Sequence, residues 1–345
     1  MANGNTTVSR LGVTNLTTDG SFAQDNSLFL KVFAGEVLTQ FEEKNVMKAL
    51  HMVRTISSGK TAQFPVTGIA TAKYHTVGQN IADAGNSYLS QIAHGEKTIN
   101  IDDMLIATTF IANMDELKNH YDIRSIYAKE LGKALAKRFD IATMKVLVAA
   151  ARSSATLTGG LGGTQLTGQT LDTAAGLVDA LFGVAQSLDE KDAPDEGRFA
   201  ILSPAQYYTL LSADNVAINK DTSGGSADAA RGVIMQVAGV TLYKSNHVAD
   251  IAVVEASQDQ DDDNANNTPW EADSGDDGTS DGTGYNNDLS SLGFIAGTRE
   301  AIGTVKLLDL AVESEYKIEL QGNLMVAKYA MGHGVLRPEC AVEVQ

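Results

Sequence analysis

The sequence predicts an α+β fold built from one long helix, an extended β-hairpin and a closing β-sheet. Large apolar residues recur at helical spacing from Asp122 to about Arg152, which predicts a helix roughly 45 Å long. Residues 61–100 alternate without helical periodicity, and residues 301–344 alternate with glycine interruptions, so both segments predict strands. Between them, residues 171–254 read in turn as helix, strand, helix, helix and strand, which completes the mixed class.

The composition is that of a globular chain of two or three modules. Its 345 residues, with a mass of 36.4 kDa, are 43% hydrophobic, which suffices for real cores. The longest apolar run, residues 146–151, is far too short for a membrane span, and the N-terminus lacks a basic region followed by an apolar core. We therefore expect a soluble protein that is not exported and has no membrane partner. A single cysteine, Cys340, excludes an internal disulfide and fits a reducing compartment.

The charge argues against a surface that grips nucleic acid. The formal net charge is −17, whereas contact with phosphates requires clustered Lys and Arg. Residues 255–288 hold eleven acidic residues and no Lys or Arg, so this segment contributes −11 and the rest of the chain −6. The body of the protein is therefore only mildly acidic.

The N-terminal residues predict an arm. Residues 1–26 are rich in Asn, Thr, Gly and Ser, and they lack the apolar groups that would offset the entropy of ordering them. An amphipathic helix is predicted from Leu28 to Lys44, with Asn26 or Ser27 as its N-cap. We expect the arm to be mobile until a partner holds it.

Residues 61–100 predict a long β-hairpin with its turn at Asp83 to Asn86. The segment has too few large apolar residues to build a core, and a lone two-stranded ribbon is marginally stable in water. We therefore expect the hairpin to lie on another subunit. This is the first indication of assembly in the sequence.

The later segments follow in order. A strand is predicted around residues 104–112, and a Gly/Thr-rich segment at 156–170 predicts a domain boundary after the long helix. The module that follows has predicted helices at 171–190, 204–214 and 229–238, and predicted strands at 198–203 and 240–245. The acidic segment 255–288 predicts a solvated loop, and the last residues predict several strands of a closing sheet.

A possible nucleotide site at Ser58-Gly59-Lys60-Thr61 lacks its context. A phosphate-binding loop needs G-x-x-x-x-G-K-[ST] between a strand and a helix, but Arg54 takes the place of the first glycine. Pro65 follows where the helix should begin, and proline disfavours the α region for the residue before it. The sequence therefore argues against nucleotide binding.

Three further chemical motifs are weak. Gly278 to Gly282 fits G-x-S-x-G without the strand and helix of a nucleophile elbow. The six histidines show no i, i+4 pair on a helix and no cysteine partner, so we expect surface or interface histidines and no zinc site. The aspartates between 261 and 281 could hold Ca²⁺ or Mg²⁺, but they lack EF-hand spacing, and a solvated acidic loop is the favoured interpretation.

Several long strings resemble, in this order, the major capsid protein of T7-like short-tailed phages. They are SLFLKVFAGEVLTQFEEKNV, HMVRTISSGKTAQFPVTG, HGEKTINIDDML, NHYDIRSIYAKELGKAL, AIGTVKLLDLAVE and VAKYAMGHGVLRPE. The similarity is strong over residues 27–152 and 293–340 and weak between them. The acidic surface and the inserted loop favour a marine, cyanobacterial host.

The resemblance implies the HK97-type phage capsid fold. This fold has an N-terminal arm, an extended β-hairpin called the E-loop, a peripheral domain with a long spine helix, and an axial domain. The implied ranges are 1–56 for the arm with its amphipathic helix, 57–98 for the E-loop, 99–170 for the peripheral domain with the spine helix, 171–292 for the axial domain with the acidic insertion 255–288, and 293–345 for the return to the peripheral domain.

The resemblance also implies a function. A major capsid protein self-assembles into hexamers and pentamers of an icosahedral shell that encloses double-stranded DNA without binding it specifically. A scaffolding protein guides assembly, a portal protein occupies one vertex, and the procapsid then matures. The protein would reside in the virion, and in the host cytoplasm during assembly, with no enzymatic activity, cofactor or metal. An encapsulin-like nanocompartment shell of the same fold is the alternative.

Inter-subunit contacts are then expected from the arm and the E-loop. The candidate residues are Phe33, Phe41, Arg54, Lys60, Lys73, Tyr74 and Tyr88. Residues 58–61 are interpreted as the hinge into the E-loop, with the bend at Gly59 and with Arg54 and Lys60 meeting acids of a neighbour. Some relatives crosslink an E-loop lysine to a neighbour, but nothing in the sequence activates Lys73 for that reaction.

The acidic insertion is expected on the outer surface of the shell, because packaged DNA would repel its carboxylates and burying them unpaired would be costly. The residues that define this exposed loop are Asp261, Asp262, Asp263, Asp276 and Asp277.

Overall fold

The computed structural model describes most of the chain in two compact units. The described residues are 45–68, 70, 72–82, 88–89, 92–102, 104–114, 123–156, 160–212, 227–228, 233–234, 236–248, 289 and 291–345. The first unit comprises the described residues within 103–139 and 308–331 together with Asn45, and the second comprises those within 46–102, 140–307 and 332–345. The domain ranges inferred from the sequence stay predictions.

The elements are numbered along the chain. The helices are α1 (Ile123–Arg152), α2 (Ala174–Glu190) and α3 (Pro204–Ser212), with 3₁₀ turns at Met47–Ala49 and Pro338–Cys340. The strands are β1 (Met52–Thr55), β2 (Thr61–Thr67), β3 (His94–Asn100), β4 (Leu105–Ala112), β5 (Thr164–Leu166), β6 (Phe199–Leu202), β7 (Ala227–Asp228), β8 (Val233–Ile234), β9 (Gln236–Val237), β10 (Val240–Lys244), β11 (Phe294–Gly297), β12 (Ile302–Lys317), β13 (Gly322–Val335) and β14 (Ala341–Val344). This mixture confirms the α+β class.

The long helix is confirmed, because α1 begins and ends within one residue of the prediction. In the first unit, Leu135 and Phe139 of α1 pack on Ala327 and Tyr329 of β13, which pairs antiparallel with β4. In the second unit, residues 140–151 of α1 are all buried. A helix that is apolar on nearly every side there belongs to a core.

A six-stranded sheet forms the centre of the second unit, with the strand order β5-β14-β11-β6-β10-β9. Leu177, Leu181 and Leu188 of α2 are fully buried in the main core cluster, as the spacing of an amphipathic helix requires. Thr173 caps α2 by accepting the Gly176 N–H at 3.2 Å. A buried Glu343 of β14 accepts two hydrogen bonds from Arg152 and thereby ties the end of α1 to this sheet.

A second, four-stranded sheet has the order β1-β12-β13-β4. Its strand β1 pairs parallel with β12, from Met52 opposite Gly303 to Thr55 opposite Lys306. Strands β2 and β3, in the segment that the resemblance assigns to the E-loop, form a separate two-stranded ribbon. The predicted strands at 104–112 and in the closing segment are confirmed by β4, β12, β13 and β14.

The helix predicted for 229–238 is wrong where the structure describes it. Residues 233–234 and 236–237 are strands instead. Val233, Ile234 and Val237 are β-branched, which favours strands, and Val237 pairs with Val240 across a two-residue turn. Ala238 and Gly239 have φ values of 51° and 78°, as in a type I′ hairpin turn.

The expectation of surface or interface histidines is wrong for His51 and His247, which are 1% and 4% exposed. Both imidazoles have hydrogen-bond partners inside the second unit, and these bonds offset the free-energy cost of removing the rings from water. Among the described residues, no three His, Cys, Asp or Glu side chains are grouped so as to hold a metal ion. No helix in the described part of the chain is long and apolar enough to cross a membrane.

Candidate inter-subunit surface

The E-loop has a short paired stem. Strands β2 and β3 pair antiparallel from Thr61 opposite Asn100 to Thr67 opposite His94, and the Gly68 N–H adds a bond to the Ala93 carbonyl at 2.7 Å. The predicted hairpin is longer than this, but no strand is assigned to the described residues between 68 and 93. The predicted turn at 83–86 lies outside the described residues.

Glycines seat the root of the stem on the four-stranded sheet. A Cβ atom added to Gly332 would lie 1.8 Å from the Asn100 carbonyl oxygen, and one added to Gly334 would lie 2.8 Å from the Ile99 side chain. Ile99 is 2% exposed and packs in a small core with Val305 and Leu336. Strand β3 therefore touches β13 backbone to backbone, which requires glycine on β13.

Residues 58–61 form the bend into the stem, as the sequence predicts. Gly59 has a φ of 110°, and the Ile101 N–H donates to the Lys60 carbonyl at 2.8 Å. Thr61 to Thr67 form a strand where a phosphate loop would need a helix. The nucleotide-site motif is therefore a structural bend.

A hydrogen-bonded cluster of His75, Thr76, Gln79 and Tyr88, which we call the Tyr88 knot, orders the outer part of the E-loop. The Tyr88 hydroxyl accepts the Thr76 N–H at 2.9 Å and donates to Gln79 Oε1, while His75 Nε2 donates to the Gln79 carbonyl at 2.9 Å. The His75 and Tyr88 rings lie 5.2 Å apart. The hydrogen bonds from Thr76 lower the pKa of the Tyr88 hydroxyl, since they stabilise its anion.

Large apolar side chains project from this knot into solvent. Tyr74 and Val77 are 102% and 96% exposed, as fully as in an extended peptide. Ile81, Leu89 and Ile92 are also exposed. Such a cluster on an ordered loop is typical of a surface that binds another protein.

The candidate residues divide into four groups. Arg54 contacts its own chain, because its Nη1 donates to the Gln63 carbonyl at 3.0 Å and its guanidinium lies 5.5 Å from the Phe64 ring centroid. Lys60, Lys73 and Tyr74 are exposed, while Tyr88 organises the knot. Phe33, Phe41 and the aspartates Asp261, Asp262, Asp263, Asp276 and Asp277 lie outside the described residues.

The sequence did not predict two features: the glycine seat, formed by Gly332 and Gly334 under β3, and the Tyr88 knot. The glycines of MGHG in β13 gave a signal, since glycine inside a strand often marks close approach of another backbone. The knot had no such signal, because its geometry depends on loop conformation.

Known proteins similar to this chain are phage capsid proteins. A family model described as Gp10A-like, major capsid protein, matches residues 63–345. The chain is 34% identical over 334 residues to the major capsid protein of Enterobacteria phage T3, covering 93% of this chain and 92% of that protein. It is 33% identical over 337 residues to the major capsid protein of Escherichia phage T7, covering 91% and 90%.

Two solved structures are similar over nearly the whole chain. The capsid structure of cyanophage P-SCSP1u matches with a TM-score of 0.72 and 34% identity, covering 95% of this chain and 96% of that one. The mature capsid of bacteriophage PhiM1 matches with a TM-score of 0.67 and 17% identity, covering 100% and 99%, which is a likeness of fold alone.

Proposed function

The chain belongs to the Gp10A-like family of major capsid proteins, and we propose that its copies form the hexamers and pentamers of an icosahedral shell around double-stranded DNA. It is a major capsid protein with the HK97-type fold, and it assembles with copies of itself into a phage shell. Its place is the virion. The similar proteins are capsid proteins of phages, so the encapsulin-like alternative is not favoured.

The observation that carries the assembly proposal is the exposed apolar cluster of the E-loop. It comprises Tyr74, Val77, Ile81, Leu89 and Ile92, and we call it the tip. Tyr74 and Val77 project from a loop that the Tyr88 knot already orders. Ordering before binding lowers the entropy cost of association, so more of the contact energy remains for holding the neighbour. We assign the tip to a contact with a neighbouring copy in the same shell.

The energy of one such contact is modest. Full burial of a side chain such as Val or Leu contributes about 1.5–3 kcal/mol, and part of this is offset by the loss of rotational and translational freedom. In a closed symmetric lattice the contact recurs at every subunit, so many weak interfaces add to a stable shell. A weak contact of this kind is suited to reversible assembly.

We assign Lys60 and Lys73 to polar contacts at the same interface, since both are exposed beside the stem and the tip. Arg54 already donates a hydrogen bond to the Gln63 carbonyl of its own chain, so we assign it first to bracing the stem. Phe33 and Phe41 are assigned to contacts of the arm on the basis of the sequence alone.

The remaining partners are proposed by analogy with the family. We propose a scaffolding protein that guides assembly, a portal protein at one vertex, and maturation of the procapsid in the host cytoplasm. The net charge of −17 supports DNA that is enclosed without specific binding. We assign the protein no enzymatic activity, which fits its membership of a structural family.

The assembly proposal is tested by truncating the exposed ring of the tip. Tyr74→Ser removes the apolar surface without touching the knot, so we expect a folded subunit that forms shells only at a several-fold higher concentration. Tyr74→Phe keeps the ring and should assemble as the wild type does. Co-expression with the scaffold followed by electron microscopy and sedimentation measures the yield of shells.

Normal shell yield from Tyr74→Ser would remove Tyr74 from the interface. If shells also formed after deletion of residues 69–92, the E-loop would have no part in assembly. Circular dichroism of each variant separates a lost contact from a lost fold.

A further inference from the structure

A hydrogen-bonded bridge of two histidines and a threonine lies in the second unit. His51 Nε2 is 2.8 Å from the Thr304 hydroxyl oxygen, and the same oxygen is 2.8 Å from His333 Nδ1. His51 and Thr304 are each 1% exposed, and His333 is partly buried. We call His51, Thr304 and His333 the histidine bridge.

The bridge holds the 3₁₀ turn at Met47–Ala49. His51 Nδ1 is 2.6 Å from the Met47 carbonyl oxygen, and the Leu50 N–H also donates to that oxygen at 2.9 Å. At the start of the turn, the buried carboxylate of Asp140 accepts the Val46 and Met47 N–H groups at 2.9 and 3.2 Å. Residues 46–51 are therefore fastened at both ends by buried side chains.

The contacts fix the direction of each hydrogen bond when both imidazoles are neutral. A carbonyl oxygen only accepts, so His51 Nδ1 must carry its hydrogen and His51 Nε2 must accept from Thr304. The hydroxyl has one hydrogen to give, so Thr304 Oγ1 must in turn accept from His333 Nδ1–H. The bridge is thus satisfied by a single arrangement of protons.

This arrangement can accommodate one added proton but not two. With His51 protonated, its Nε2–H donates to Thr304, and the hydroxyl can turn its hydrogen to a bare His333 Nδ1. With both imidazoles protonated, both donate to Thr304 and the hydroxyl hydrogen loses its acceptor within the bridge. Two positive charges would also face each other across one oxygen in a largely buried site.

The charged and titratable groups around the bridge come from several elements. Asp140 of α1 attracts a proton to His51, and Arg299, whose Nε donates to the His51 carbonyl at 3.4 Å, repels it. His247, after β10, lies on the far side of Asp140, with its Nδ1 3.2 Å from Oδ2. His51 and His333 are the two groups that meet at Thr304.

Burial keeps the imidazoles neutral. Desolvation is the main cause that lowers the pKa of His51, against the opposing effects of the Met47 carbonyl and Asp140. Desolvation, followed by repulsion from His51, lowers the pKa of His333 from 6.5 to about 3. Since an opened bridge would restore the ordinary pKa, its stabilising effect is complete above about pH 6.5 and is lost as the pH falls toward 3.

We propose that the histidine bridge is an acid-operated latch on residues 46–51, which holds the turn while its imidazoles are neutral and releases it when both are protonated. The latch joins His51, which follows the turn, to Thr304 of β12 and His333 of β13. Strand β13 also carries the glycine seat of the E-loop, at Gly332 and Gly334 on either side of His333. Acid would therefore act next to the root of the E-loop stem, where β3 packs on Gly332 and Gly334.

Hydrogen–deuterium exchange of the full-length protein in assembled shells tests the latch. Between pH 7.5 and pH 5, the equilibrium constant for opening should rise by up to about 30-fold, as expected for a group whose pKa returns to its ordinary value on opening. This value counts His333 alone, and the partial exposure of His333 to solvent would make its contribution smaller. The protection factors of the amides in residues 46–50 should fall by the same factor.

His333→Asn is the decisive variant. The Asn amide can take the place of Nδ1 and either donate to Thr304 or accept from it, but it does not titrate. Its protection factors for residues 46–50 should fall much less between pH 7.5 and pH 5 than those of the wild type, because only His51 of the two imidazoles remains. His94→Asn, at an exposed position of the stem, is the matched control and should respond as the wild type does.

An equal loss of protection in His333→Asn would show that the response does not depend on the bridge and would overturn the latch. If His333→Asn fails to fold, nitrogen-15 NMR of histidine-labelled wild-type shells gives an independent answer. We expect His51 and His333 to show the Nδ1–H tautomer at pH 7, with His333 still neutral at pH 5. Titration of His333 near its ordinary value, with residues 46–50 still protected, would also overturn the proposal.

Discussion

A missing side chain at Gly332 decides where the E-loop leaves the subunit. Strand β3 approaches β13 so closely at this position that the nearest atom to an added Cβ is the Asn100 carbonyl oxygen, at 1.8 Å. A backbone atom cannot rotate away as a flexible side chain can. Any residue other than glycine must therefore displace the root of the stem.

We predict that Gly332→Ala destabilises the second unit by about 3 kcal/mol, because overpacking against a backbone cannot relax cheaply. The melting temperature of the soluble subunit should fall by roughly 5 to 10 °C in differential scanning calorimetry. Gly132→Ala is the control, since an added Cβ at Gly132 in α1 meets nothing within 4 Å. It should stabilise the helix by about 1 kcal/mol, because alanine has the higher helix propensity. Equal melting temperatures for both variants would show that β3 does not need the glycine seat.

The histidine bridge shows why residue-level chemistry escapes the sequence. Thr304 and His51 are 253 positions apart, and no sequence pattern around either residue predicts their contact. Helical or strand periodicity reports which face of an element is apolar. It does not report which two polar groups will meet inside the fold.

Among the elements, long regular segments were predicted well and loops poorly. Helix α1 carries apolar residues at helical spacing along its 30 residues and no proline or other helix-breaking turn signal, so its type and length could be predicted. In the E-loop, alternation predicted the stem but overestimated its length. Beyond Gly68, side-chain bonds to Tyr88 replace the strand ladder, and composition alone cannot distinguish these two ways of ordering a loop.

We predict that Tyr88→Phe loosens the tip of the E-loop and leaves the rest of the subunit intact. The variant loses the acceptor of the Thr76 N–H and the donor to Gln79, so the Thr76 amide should exchange faster. The melting temperature should not change, because no described residue between 70 and 89 belongs to the buried core. Tyr74→Phe, which also removes an exposed hydroxyl, should leave the exchange of Thr76 as it is. Unchanged exchange of Thr76 in Tyr88→Phe would mean that the knot does not order the tip.

At the scale of the whole molecule, the segments that resemble T7-like capsid proteins predicted the fold correctly. The charge of the chain is unevenly distributed. The resemblance predicted the HK97-type fold, and the similar capsid structures confirm it. The acidic insertion at 255–288 lies outside the described residues, so its outward position is still a prediction. Its eleven acids make it the largest single contribution to the net charge of −17.

Replacing residues 258–286 by a short Gly/Ser linker tests that position. If the insertion faces outward, intact shells of the variant should migrate more slowly toward the anode in agarose, because each subunit loses nine acidic groups from the outer surface. As a calibration, the triple variant Asp309→Asn, Glu315→Gln and Glu319→Gln removes three exposed carboxylates elsewhere and shows how mobility responds to a smaller loss of charge. Unchanged mobility of well-formed shells would place the insertion on the inner wall. There its carboxylates would face the packaged DNA, and the repulsion argued from its charge would have to be offset by bound cations.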